Sequence, residues 1–123
     1  MKPETMMYEK ITQIVPENSD KTIFFASITK TSYEVFFYSF INGEPKQCYT
    51  LAEEGKLDEN MLAEVFDSMV NIIRSSKLFK EDKINIATIR FDKSQIKMDM
   101  EYYEKDVRMF KIKKEWQQKN IFK

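Results

Sequence analysis

At 123 residues, with 42% hydrophobic and 14% aromatic content, the chain is long enough for one packed domain and too apolar to be a disordered tail. Twenty Lys/Arg balance twenty Asp/Glu and there is no histidine, which excludes imidazole catalysis and His-ligated metal. No apolar run approaches the length of a membrane span, so the expectation is a chain without transmembrane segments.

The balanced charge hides a polarity. Residues 1–68 carry 6 Lys against 12 Asp/Glu, and residues 69–123 carry 14 Lys/Arg against 8. Such an asymmetry speaks about partners rather than fold. The first segment begins with Pro3, suited to a first helical turn. Met7, Tyr8, Ile11, Ile14 and Val15 then recur at helical spacing until Pro16. Lys21–Thr29 and Ser32–Phe40 are rich in β-branched and aromatic residues and read as a hairpin. Asn42-Gly43 marks the next turn, and Lys46–Leu51 is expected as a third strand, completing an antiparallel meander. Asp58 is a suitable N-cap for a helix carrying Met61, Leu62, Val65, Phe66, Met69, Val70 and Ile73 as an apolar stripe, with Leu57 placed to meet Leu62 as a staple. Lys83–Phe91 and Gln95–Tyr103 are expected as two further strands. A last helix is expected over Glu104–Lys119, anchored by Val107, Phe110 and Trp116. The order α-β-β-β-α-β-β-α predicts an α+β fold, a five-stranded antiparallel sheet packed by helices, in a single domain spanning residues 1–123.

Little in the chain suggests chemistry of its own. Two glycines rule out a phosphate-cradling loop. Cys48, the only cysteine, has no internal disulfide partner and reads as a passive thiol in a strand. Its solitude and the polar N-terminus, which lacks a signal-peptide core, fit a cytoplasmic protein. The eight methionines fall mostly at apolar periodic positions and read as core. No cofactor, metal or enzymatic activity is expected.

The most informative stretch is IKMDMEYYEKD, residues 96–106. In a strand, Ile96, Met98, Met100 and Tyr102 share one face, which reads as core. Lys97, Asp99, Glu101 and Tyr103 share the other, which reads as wet or partner-covered. Asp99 and Glu101 lie about 7 Å apart along such a strand, but a working acid/base pair needs two unlike environments. An acidic surface is the better reading. It is extended by Glu104 and Asp106 and interleaved with Tyr102 and Tyr103. A second acidic cluster contains Glu53, Glu54, Glu64 and Asp67, beside Asp58 and Glu59, whose positions at a helix start are explained by the helix dipole.

From Met7 to Trp116 the pattern resembles the YezG-like family of bacterial immunity proteins. The resemblance rests on a first helix ending in IVP, the aromatic strand SYEVFFYSF, an acidic helix after the third strand, and a closing FDKSQIKMDMEYYEKD hairpin that leads to KKEW. Met100 stands where an aromatic is commoner in that family, and the acidic loop is shorter. The resemblance implies a small helix-covered α+β domain and an antitoxin. Such a protein binds a cognate protein toxin in a 1:1 heterodimer and neutralises it, most often a basic nuclease domain of a contact-delivered effector. The toxin-binding residues would be Asp99, Glu101, Tyr102, Tyr103, Glu104 and Asp106, favoured because aromatics supply hot spots, or Glu53, Glu54, Glu64 and Asp67. The competing reading is a nucleic-acid-binding regulator using Lys111, Lys113, Lys114 and Trp116 of the basic last helix.

Overall fold

The computed structural model describes residues 2–122. Five antiparallel strands form one sheet in the order β3-β2-β1-β4-β5. The strands are β1 (Lys21–Ile28), β2 (Tyr33–Ile41), β3 (Glu44–Gln47), β4 (Ile84–Asp92) and β5 (Ile96–Tyr103). The helices are α1 (Pro3–Ile11), α2 (Cys48–Glu53), α3 (Glu59–Arg74) and α4 (Met109–Asn120). The α+β class and the antiparallel five-stranded sheet are as the sequence predicts. No helix among the described residues is long and apolar enough to cross a membrane.

Alternation along the strands divides the sheet into two apolar faces. On one, Phe24 stacks on Phe37 at 4.6 Å and meets Phe66 of α3 edge-on at 6.0 Å, while Tyr8 of α1 meets Phe91 at 5.4 Å. On the other, Phe25 stacks on Phe36, and both rings are capped by Trp116 of α4. Helices α1 and α3 therefore cover one side and α4 the other, which leaves β1 and β4 buried on both faces. Such strands read as near-continuous apolar runs, and that is how FFASI and INIATI appear in the sequence.

Several boundaries move, each for a local reason. Asn42 and Gly43 both adopt positive φ, the geometry of a two-residue hairpin turn, so pairing resumes immediately at Ile41↔Glu44. The third strand is therefore Glu44–Gln47 instead of Lys46–Leu51. Cys48 and Leu51, three apart, then bury one side of the short helix α2, so Cys48 lies in a helix and not a strand. The first helix stops at Ile11 and passes through tight turns, the Gln13 N–H donating to the Lys10 carbonyl and the Ile14 N–H to the Ile11 carbonyl, before Pro16 excludes Val15 from a continued helix. Residues 104–108 form a turn closed by the Val107 N–H donating to the Glu104 carbonyl at 3.1 Å, and α4 starts only at Met109. Phe110, expected as an anchor, is 76% exposed, and Ile112 takes that place. Met61 lies at the margin of its stripe and is exposed. The α3 start is as expected, with the Asp58 carboxylate accepting from the N–H groups of Asn60 (2.8 Å) and Met61 (3.4 Å).

Candidate functional site

The two acidic clusters lie at opposite ends of the sheet. On β5, register puts Asp99 across from Thr88 and beside Arg90, whose Nη1 donates to the Asp99 carboxylate at 2.8 Å. Arg90 also donates to the Asn120 side chain of α4. The face expected to be wet is thus partly roofed by α4, and Glu101 and Tyr103 line a crevice with Ile112 and Trp116. The Tyr103 hydroxyl donates to Glu101 at 3.3 Å, and burial, followed by the Glu101 charge, raises its pKa. Tyr102, on the opposite face, donates to the Leu78 carbonyl at 2.6 Å and carries the Lys80 ammonium 4.0 Å above its ring. Glu104 pairs with Lys83, and Asp106 is exposed in the following turn. The four acids of this surface therefore share their surroundings with Lys97, Lys105, Arg90 and Lys83, and the local charge is close to balanced.

The other cluster has a different balance. Residues 53–67 hold six carboxylates and one lysine. Glu54 is bracketed by Lys46 (3.6 Å) and Lys56 (3.5 Å), while Glu53 and Glu64 are exposed and in no ion pair among the described residues. Asp67 accepts a 2.5 Å hydrogen bond from the Tyr33 hydroxyl. Beside it runs a groove of about 360 Å³ between the start of β2 and the first half of α3, lined by Tyr33, Tyr49, Glu59, Leu62 and Phe66. Tyr33 and Tyr49 are 43% and 46% exposed, yet each is fixed: Tyr33 by Asp67, and Tyr49 by its hydroxyl donating to the Val35 carbonyl at 3.1 Å. Arg74 donates to the carbonyls of Thr29 and Ser32, which ties the β1–β2 turn to the end of α3 and holds the groove wall in place. Sequence reading missed both tyrosines. Tyr33 sits on the core face by alternation, but lies at the start of β2 and is exposed. Tyr49 was hidden by the assignment of a strand where α2 lies.

The hydrogen bond to Asp67 and then burial raise the Tyr33 pKa above its ordinary value. A raised phenol pKa means that the native state favours the neutral form. This contribution is complete below the unfolded tyrosine pKa, about 10, and is lost as pH rises through the higher native value. Asp67→Asn removes the charge and is expected to bring the Tyr33 midpoint down in a phenolate absorbance titration; an unchanged midpoint would show that Asp67 does not hold the phenol.

Cys48 is fully buried, and burial pushes its thiol up to about 11, so it is not a nucleophile near neutral pH. Trp116 is 5% exposed, with Nε1–H donating to Thr88 Oγ1 at 2.8 Å. Lys113 donates to Glu34 at 2.6 Å. The basic aromatic patch expected on the last helix thus loses its tryptophan to the core. Among the described residues no group of three or more His, Cys, Asp or Glu side chains is placed to hold a metal ion. Matched against protein-family models the chain finds none, and no curated protein matches it.

Proposed function

We propose that the chain is an immunity protein, a binding protein that neutralises a cognate toxin with a basic, nuclease-like cleft. The contact surface would be the acidic groove between β2 and α3. The observation that carries this reading is the pairing of two exposed but conformationally held tyrosines with a segment of six carboxylates against one lysine. Fixed aromatics supply desolvated hot spots at low entropic cost, and surrounding acids speed encounter with a basic partner. The β5 surface remains the rival contact face of the same partner, but two of its four acids, Asp99 and Glu104, are already matched by Arg90 and Lys83. The reading of the last helix as a nucleic-acid contact is disfavoured because Trp116 is unavailable for stacking on bases.

Capture of partners by the tagged chain from its native cells is expected to yield a protein with a basic, nucleolytic C-terminal domain. Against that domain, Tyr33→Ala and Tyr49→Ala are expected to cost about 2 kcal/mol or more each. Glu59→Lys with Glu64→Lys should slow association, most at low salt. Asp99→Lys with Glu101→Lys should leave binding nearly intact, though Asp99→Lys also removes the Arg90 pair, worth under about 1 kcal/mol at this exposure. If that β5 variant abolishes protection while the tyrosine variants do not, the contact face is β5. If the chain retains only nucleic acid, with steep salt dependence, the immunity reading fails.

A further inference from the structure

The two edges of the sheet differ. β3 is four residues long and contains Pro45, a poor template for pairing. β5 runs for eight residues without proline or glycine. The β4–β5 hairpin closes with the Asp92 N–H donating to the Gln95 carbonyl at 3.1 Å. Because bonded and non-bonded pairs alternate in an antiparallel ladder, Lys97, Asp99, Glu101 and Tyr103 direct their backbone groups to β4. The N–H and C=O groups of Ile96, Met98, Met100 and Tyr102 point outward instead. Among the described residues nothing bonds to them. Ile96, Met98 and Met100 are also only half-buried, so this edge holds unpaired backbone and incompletely covered apolar side chains together.

We propose that β5 pairs with β5 of a second copy of this chain, antiparallel about a two-fold axis at Met98, to make a continuous ten-stranded sheet. The side chains are self-complementary in this register. Outward-bonding residues pair with each other, Met98 with Met98 and Ile96 with Met100, on the face covered by α1 and α3. On the other face Lys97 meets Asp99 of the second copy at a non-hydrogen-bonded position, where side chains approach most closely. The two-fold makes that pair occur twice. Lys97 is in no ion pair within its own chain among the described residues, and Asp99 would sit between its own Arg90 and the incoming lysine. Charge favours this register over its neighbours. A shift of two residues one way brings Lys97 opposite Lys97 and leaves Asp99 facing the uncharged Gln95; a shift of two the other way keeps two unlike pairs, Lys97 with Glu101, but brings Asp99 opposite Asp99 at the centre. A shift of one residue exchanges the faces. The groove at Tyr33 and Tyr49 lies beyond β1 from this edge, so pairing leaves it open in both copies, and the dimer does not depend on the toxin-binding reading.

Sedimentation velocity of the purified full chain over a wide concentration range tests this directly. The wild type is expected to shift from one to two chain masses as concentration rises. Met98→Pro removes an outward N–H without touching the β4 ladder and should remain monomeric while still melting cooperatively. Lys97→Glu and Asp99→Lys should each weaken self-association by about tenfold, since each replaces two attractive pairs with two repulsive ones. Their equimolar mixture should dimerise again, because both opposed pairs are then of unlike charge. A wild type that stays monomeric at every concentration overturns the proposal. So does a Met98→Pro chain as dimeric as the wild type, or a mixture no more associated than its components.

Discussion

Trp116→Ala is expected to lower the unfolding free energy by about 3–5 kcal/mol, the usual range for removing a buried aromatic. Trp116 is the main contact between α4 and the sheet: its ring meets Phe25 at 5.1 Å and Phe36 at 5.7 Å, both edge-on, and its Nε1–H is the partner of Thr88. Only Ile112 and Asn120 of α4 are otherwise buried. A helix of 12 residues is marginal by itself, so without the indole α4 is expected to fray and expose Phe25 and Phe36. Urea unfolding by far-UV circular dichroism would measure the loss, and accelerated amide exchange confined to residues 109–120 would locate it. Trp116→Phe keeps most of the ring but strands the Thr88 hydroxyl, and should cost about 1–3 kcal/mol. If both variants unfold like the wild type, α4 is held by something other than this packing.

Asn85→Ala is expected to be nearly as damaging, about 2–4 kcal/mol, although it deletes a small polar side chain. Asn85 is fully buried on β4, and its side chain ties together three pieces of backbone. Its Nδ2 donates to the carbonyls of Ile28 (3.1 Å), Lys80 (2.8 Å) and Lys83 (3.0 Å), and its Oδ1 accepts from the Lys80 N–H at 2.8 Å. These bonds anchor the loop that carries the chain from α3 into β4. Truncation leaves the Lys80 N–H and the Lys83 carbonyl without this partner and leaves the Lys80 carbonyl only the longer bond from the Lys83 N–H at 3.3 Å, and the expense of unpaired buried groups exceeds the worth of the bonds themselves. Asn85→Asp should be at least as costly, because a carboxylate repels the same three carbonyls and must lose its charge or be hydrated in place. Thermal unfolding of both variants, together with faster exchange of the Lys80 amide, checks this; an Asn85→Ala chain within about 0.5 kcal/mol of wild type would mean that water replaces the amide.

The elements whose partners lie close in sequence were legible without a structure. The α3 stripe and its Asp58 cap, the β1–β2 hairpin, the Asn42-Gly43 turn and the β4–β5 hairpin are all specified by periodicity of 3.6 or 2 and by local turn chemistry, and each stands within a residue or two of its expected bounds. The α+β class follows from those elements alone. What their spacing could not determine was which exposed positions meet which. The strand order places β4 beside β1, and α4 comes back over the face of β5 that alternation marks as wet. For that reason Asp99 finds Arg90, Glu104 finds Lys83, and the acids that looked most available are the ones with cations beside them. The groove at Tyr33 and Tyr49 was illegible for the same reason. It is formed by β2, α2 and α3, from residues as far apart as Tyr33 and Phe66, and α2 begins directly where β3 ends at Gln47. Local propensity is read along the chain, whereas charge pairing and concavity depend on distances across it, and those were decided by packing the two faces of the sheet.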